Sequence, residues 1–242
     1  MSAVTPFPAD ARPLLEVRQL SQVYNLNRQK LFAPRPKLKV LDSIDFSVRP
    51  GEAVGLVGES GSGKTTLTRM LTGVERPGEG QVLYDGVDVW TGGEAHEKLF
   101  RRSVQVVLQN PRSSLDPRMR VGTSLLEPLR SLRIEGDHAA RVLEVLDQVG
   151  LDKNALERFP HEFSGGQLQR IAIARALMPG PKVLIADEPV SALDVSIQAQ
   201  VLNLLKDLVR DLGLSLVFIA HDLSVVAYTT SKVYVMSSGK IV

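Results

Sequence analysis

The chain has 242 residues, enough for one large domain or for a core carrying a subdomain. Its 29 Lys and Arg nearly balance 27 Asp and Glu, and a net charge of +2 gives no electrostatic case for nucleic-acid binding. The absence of cysteine excludes disulfides, thiolate zinc sites and cysteine-ligated clusters, and no run approaches the ~18 apolar residues of a membrane span.

Met1–Pro6 lacks the basic and apolar segments of a secretory signal, and the proline-rich stretch 1–13 reads as a flexible leader. Leu15–Leu20 alternates apolar and polar residues like a half-exposed strand. Residues 25–39 gather Arg28, Lys30, Arg35, Lys37 and Lys39 with two prolines and read as a basic, solvated loop. Val40–Val48 alternates again and ends at the turn Arg49-Pro50-Gly51-Glu52.

The next stretch carries chemistry. Ala53–Val57 is a short apolar run with the character of a buried strand, and Leu67, Met70 and Leu71 recur at helical spacing. Between them Gly58-Glu59-Ser60-Gly61-Ser62-Gly63-Lys64-Thr65 is a full match to G-x-x-x-x-G-K-[ST], followed by Thr66. Glycines let the backbone curl so that successive N–H groups face phosphate oxygens. Lys64 would reach the β- and γ-phosphates, and the Thr65 hydroxyl would ligate Mg²⁺.

Gln81–Gly86 reads as a further strand and turn. The run Val104–Leu108 ends at Gln109, where Asn110-Pro111 breaks the strand. By chemistry alone Gln109 could ligate Mg²⁺, orient a water, or serve structure only. Residues 112–160 change character: Val121, Leu125, Leu129 and then Val142, Leu146, Val149 are helix-spaced, predicting an inserted α-helical subdomain. Ser164-Gly165-Gly166-Gln167 then opens another helical stretch (Leu168, Ile171, Ala172, Leu177), and its bare N–H groups would form a second anion cradle.

The remainder alternates as a parallel sheet requires: strand 182–187, helix about 196–211, strand 214–220, helix about 222–228, strand 232–236. The buried strand Val183–Ala186 delivers Asp187 and Glu188 to its carboxyl edge, where Asp187 would hold Mg²⁺ and Glu188 would polarise an attacking water. His221, directly after strand 214–220, reads as a γ-phosphate contact rather than a satisfied lone histidine.

Together these residues resemble the ATP-binding subunits of ABC transporters. Gly58–Thr65 looks like a Walker A motif, Gln109 like a Q-loop, and Ser164–Gln167 like the ABC signature. Val183–Glu188 looks like Walker B, Ser191–Asp194 like a D-loop, and His221 like an H-loop, all in the family's order over roughly residues 15–242. The stretch Asp187–Gln200 and the long segment between Tyr24 and Val40 are similar to the oligopeptide, dipeptide and nickel importers. Members of that group usually continue past the last strand, so no role of such an extension is carried over.

The resemblance implies an α/β fold for residues 14–242: a P-loop NTPase core with a mostly parallel central sheet, an N-terminal antiparallel β subdomain and the helical subdomain. It implies ATP hydrolysis with ATP and Mg²⁺, catalytic roles for Lys64, Glu188 and His221, and metal contacts from Thr65, Gln109 and Asp187. Gly58 through Thr66, Gln109, Ser164 through Gln167 and Asp194 would contact ATP, with Tyr24 stacking on the adenine. It further implies a head-to-tail dimer with a second ATP-binding subunit, self or paralogue, in which each nucleotide lies between one chain's Walker A and the other's signature. Two permease subunits, an indirect external solute-binding protein, no nucleic acid, and residence on the cytoplasmic face of the membrane complete the expectation. The alternatives are an exporter or lipid-transporter ATPase, or a soluble non-transport ABC ATPase.

Overall fold

The structure, a computed structural model, describes residues 12–26 and 35–242. Most of the expected leader and the centre of the basic loop therefore lie outside the described residues. The described chain runs β1 (Leu15–Asn25), β2 (Lys37–Val48), β3 (Ala53–Gly58), α1 (Lys64–Leu71), β4 (Glu79–Tyr84), β5 (Val87–Asp88) and α2 (Glu94–Ser103). It continues with β6 (Val104–Val107), α3 (Pro111–Ser114), α4 (Val121–Ser131) and α5 (His138–Gln148), then two short 3₁₀ turns at Lys153–Glu157 and Pro160–Glu162. The last part is α6 (Gly165–Leu177), β7 (Val183–Asp187), α7 (Val195–Leu212), β8 (Ser215–Ala220), α8 (Leu223–Thr229), β9 (Lys232–Ser237) and β10 (Lys240–Ile241).

Two sheets form. One is antiparallel and four-stranded, in the order β2-β1-β4-β5. The other has six strands in the order β10-β9-β3-β8-β7-β6; its ladders are parallel except for the hairpin β9–β10. The expected α/β architecture is present, with the stretch 111–162 helical between β6 and α6. Helix α2 and the short strands β5 and β10 add to the elements expected from the sequence; α2 buries Phe100 and Ser103, sets His96 against Tyr84, donates from Arg102 to the Pro179 carbonyl, and carries exposed Glu94–Lys98 and Glu97–Arg101 pairs.

The central parallel strands β3, β7 and β8 are almost entirely apolar and buried because both of their faces are covered. Successive side chains point to opposite faces, and two hydrophobic cores divide them accordingly. Leu184, Ala186, Leu216, Phe218 and Ala220 join the core shared with α4, α5, α6 and α7. Val183, Ile185, Val217 and Ile219 join the core shared with α1 and the antiparallel sheet.

That arrangement fixes one edge of the sheet. Val57 pairs with Ala220, Asp187 with Ile219, and Val107 with Ala186. Strands β3, β8, β7 and β6 therefore end level with one another. Their carboxyl ends present, in spatial order, the loop from Gly58, then His221, then Asp187 and Glu188, then Gln109. This is where α/β sheets hold ligands.

Candidate nucleotide site

The loop after β3 is held open by its glycines at one decisive point. Gly63 has φ +108°, and a Cβ there would lie 2.9 Å from the Val40 carbonyl oxygen and 2.8 Å from Leu41 Cδ2. No L side chain suits that conformation or that space. Gly63 is also the N-terminal cap of α1, and its carbonyl accepts from the Leu67 amide at 2.9 Å. The amides of Gly63, Lys64 and Thr65 find no backbone acceptor among the described residues. They are free donors at the positive end of a helix, which suits an anion.

Lys64 is 8% exposed, and its ammonium donates to the Gly58 carbonyl at 2.6 Å and to the Glu59 carbonyl at 2.8 Å. Burying a cation on two loop carbonyls stores a charge in the cradle that an incoming phosphate would answer. The Ser62 hydroxyl oxygen is buried with no hydrogen-bond partner among the described residues. Such an orphan is costly in a finished core and points to a missing partner at this loop.

Asp187 ends β7 partly buried, and burial, then the neighbouring Glu188 charge, push its carboxyl above the usual carboxylate range; Lys64 opposes the shift. A cation beside it would offset both costs, and Thr65, at the start of α1, exposes its hydroxyl. Among the described residues no cluster of three or more His, Cys, Asp or Glu forms a self-sufficient metal site. The donor set of hydroxyl and carboxylate, completed by phosphate oxygens, suits Mg²⁺, which favours few protein ligands.

Glu188 has φ +47°, the left-handed region that a non-glycine residue enters at a cost of about 1–3 kcal/mol. Several contacts impose it. Its amide donates to the Ile219 carbonyl at 2.8 Å, and its carbonyl accepts from the Ser191 amide at 3.3 Å and the Ser191 hydroxyl at 3.1 Å. The carboxylate accepts from Gln109 Nε2 at 2.8 Å and lies 3.7 Å from His221 Nδ1. Gln109 Nε2 also reaches Ser191 Oγ at 3.3 Å. Gln109, Glu188 and His221, separated by 33 residues or more in sequence, thus converge on one point with Ser191.

Gln198 was not singled out by its sequence. From α7 its carboxamide donates to the Val190 and Leu193 carbonyls, both at 3.0 Å, stapling the turn that carries Ser191 and leads to Asp194. It lines a cavity of about 90 Å³ with Glu188, Ser191 and His221. Asp194 itself stands at the N-terminal cap of α7 without a side-chain capping bond, its carbonyl accepting from the Ile197 and Gln198 amides.

The second cradle differs from expectation in one respect. Its amides are not all bare: Ser164 Oγ accepts from the Gln167 amide at 3.3 Å, and Gln167 Oε1 accepts from the Ser164 amide at 3.1 Å. This is a capping box, worth about 1 kcal/mol to the helix. The Gly165 and Gly166 amides remain without a backbone acceptor among the described residues. A Cβ on Gly166 would lie 2.5 Å from Ile197 Cγ2 on α7, so only glycine lets the signature turn pack there. No hydrogen bond or ion pair among the described residues joins Ser164–Gln167 to Gly58–Thr65.

Tyr24 lies near the end of β1, its phenol beside the Thr66 hydroxyl, with Glu75 accepting from Tyr24 Oη at 2.5 Å. Burial, then the Glu75 contact, raise the phenol pKa above its ordinary value. The ring therefore stands over the first turn of α1.

A glycine-rich loop with a buried lysine, and a carboxyl edge bearing Asp-Glu, Gln and His, define a P-loop ATPase domain of the ATP-binding-cassette type. The chain belongs to the ABC transporter family, whose sequence model matches residues 41–191. It is 48% identical over 234 residues to the dipeptide transport ATP-binding protein DppF of Escherichia coli strain K12, covering 96% of this chain and 70% of the relative. It is 46% identical over 230 residues to the putative oligopeptide transport ATP-binding protein YkfD of Bacillus subtilis strain 168, covering 94% of this chain and 68% of that one. Among solved structures it is similar to cbiO1 of Clostridium perfringens, part of the ABC transporter complex cbiONQ (TM-score 0.79, 26% identity, 95% of this chain and 87% of that one). A second is the ATP-binding cassette MJ0796 in a dimeric post-hydrolysis state bound to ADP and Pi (TM-score 0.79, 26% identity, 94% and 96% coverage).

Proposed function

We propose that this chain is the ATP-binding and ATP-hydrolysing subunit of an ABC importer for peptides or related small solutes such as nickel. The observation that carries the reading is the convergence of Gln109, Glu188 and His221 at the sheet edge that also bears the Gly58–Thr65 loop. The peptide-transport names of relatives near half-identical over most of the chain support the substrate class.

In this reading the loop Gly61 through Thr66, with the free amides of Gly63, Lys64 and Thr65 and the Lys64 ammonium, binds the ATP phosphates, with Gly58, Glu59 and Ser60 completing the loop and Tyr24 under the adenine. Thr65, Asp187 and Gln109 would hold Mg²⁺, which when bound neutralises phosphate charge. Glu188 takes a proton from the attacking water, and its left-handed backbone holds the carboxylate out from the strand end. His221 donates to the γ-phosphate, and Gln109 keeps Glu188 oriented until substrate arrives.

Ser164–Gln167 and Asp194 serve a nucleotide held by a second ATP-binding subunit packed head to tail. The Gly165 and Gly166 amides, without an acceptor among the described residues, support that role. Two permease subunits would dock against the helical part, and an external solute-binding protein would act through them. A cleft of about 350 Å³ between β6, α4 and α6, lined by Gln105, Leu108, Glu127, Pro128 and Arg175, supports that contact, because Leu108 in its wall directly precedes Gln109 in sequence. Among the described residues no helix is long and apolar enough to cross a membrane, which fits a peripheral position on the cytoplasmic face.

The test is light scattering of purified Glu188→Gln with Mg·ATP. A dimer that dissociates with ADP is expected for self-pairing, and an ATP-bound monomer for a paralogous partner. Failure to bind ATP would overturn the reading.

A further inference from the structure

Glu75 lies outside every motif described above, yet four groups converge on it. Its Oε1 accepts from Tyr24 Oη at 2.5 Å and from Gln22 Nε2 at 3.1 Å. Its Oε2 lies 3.3 Å from Arg69 Nε, within ion-pair range but not aligned for a hydrogen bond, and that oxygen is buried without one. The Glu75 amide donates to the Arg69 carbonyl at 3.1 Å, with the Val74 amide on the same carbonyl at 2.8 Å. Gln22 is occupied at its other end, where Oε1 accepts from the Gly78 amide at 2.7 Å.

The carboxylate is therefore rooted at the C-terminal end of α1, and the phosphate loop is rooted at the N-terminal end of the same helix. A buried carboxylate oxygen without a full hydrogen bond does not favour stability. What the arrangement does achieve is geometric. It ties the Tyr24 ring, 51 residues away in sequence, to the helix that carries Lys64 and Thr65.

We infer that Glu75 is a positioning residue for nucleotide binding: by holding the Tyr24 hydroxyl, it sets the tilt of the adenine-stacking ring and its distance from the phosphate cradle beside the first turn of α1. This rests on the proposed role of Tyr24 and extends it. Base stacking on an aromatic ring is sensitive to tilt and separation. A ring free to swing about χ1 would have to be ordered by each incoming nucleotide, and that ordering lowers affinity.

The distinguishing property is that Glu75 should matter only to ligands that carry a base. Equilibrium binding of ATP and of inorganic tripolyphosphate, each with Mg²⁺, is measured on the wild-type chain and on Glu75→Ala, Glu75→Gln, Tyr24→Phe and Tyr24→Ala. For Glu75→Ala and Tyr24→Phe, ATP affinity falls about five- to tenfold while tripolyphosphate affinity stays within about twofold. Glu75→Gln, which still accepts from the phenol, recovers most of the loss, and Tyr24→Ala loses at least as much as Glu75→Ala. Equal losses for ATP and tripolyphosphate in Glu75→Ala would mean general damage to the loop and would overturn the inference. Unchanged ATP affinity in Glu75→Ala beside a clear loss in Tyr24→Ala would overturn it while leaving Tyr24 in place. Unchanged affinity in Tyr24→Ala would remove the role of Tyr24 itself, and the inference with it.

Discussion

The two anion cradles of this chain are built to different degrees of completion. The Gly58–Thr65 loop has its own buried cation, a buried hydroxyl awaiting a partner, and a sheet edge that brings Asp187, Glu188, Gln109 and His221 alongside. The Ser164–Gln167 turn has only a capped helix end and two free amides, with no bond to the first. In the proposed function a site with chemistry and a turn with donors but no chemistry are complementary halves.

The largest break in this comparison comes from Lys64→Ala. Removing the one buried cation of the first cradle should weaken ATP binding by at least about a hundredfold, measured by titration calorimetry on the single chain. The matching change in the second cradle, Gly166→Val, should leave single-chain ATP affinity within about twofold. It should nevertheless cut turnover of the assembled transporter by about a hundredfold, because the added carbons meet Ile197 and block the turn. Loss of single-chain ATP binding in Gly166→Val would mean that the two cradles are not separable.

A smaller effect separates them by pH. Asp187 has a raised folded pKa, so its contribution to stability is fully present below its ordinary value, near 3.9, and is lost as pH rises through the folded value. Thermal melts without nucleotide should therefore show Asp187→Asn matching wild type at about pH 4 and exceeding it near pH 7. Ser164→Ala, which removes only a helix cap, should shift the melt by about 1 kcal/mol independently of pH over that range. The smallest expected change is Gln198→Met, which frees the turn behind Glu188. It should lower kcat by about tenfold with KM little altered, and lower stability by about 1 kcal/mol as the Val190 and Leu193 carbonyls lose their donor.

Much of this geometry is legible in the sequence, for a physical reason. Strands covered on both faces are almost entirely apolar, so Ala53–Val57, Val183–Ala186 and Leu214–Ala220 announce themselves, and the residues that follow them, Gly58, Asp187 and His221, fall at the carboxyl edge. What stays hidden lies in contacts whose partners are remote or whose signal is weak. Glu75 and Gln198 look like ordinary surface polar residues until folding sets one against Tyr24 and the other under a turn. The left-handed backbone of Glu188 has no composition cue, since glutamate gives no warning of positive φ. Helix α2 escapes notice because it buries little more than Phe100 and carries no strong apolar stripe. The capping box at Ser164 and Gln167 is written in the residue types, but the same residues also spell an anion cradle, and only the side-chain geometry separates capped amides from free ones.

The central claim is that Glu188 performs chemistry at a nucleotide held by Gly58–Thr65. The most direct test is steady-state ATP hydrolysis by the assembled transporter, wild type beside Glu188→Gln, with ATP binding measured on the same preparations. Retained binding and a rate reduced by at least about a hundredfold are expected; hydrolysis by Glu188→Gln at the wild-type rate would contradict the proposed role of Glu188.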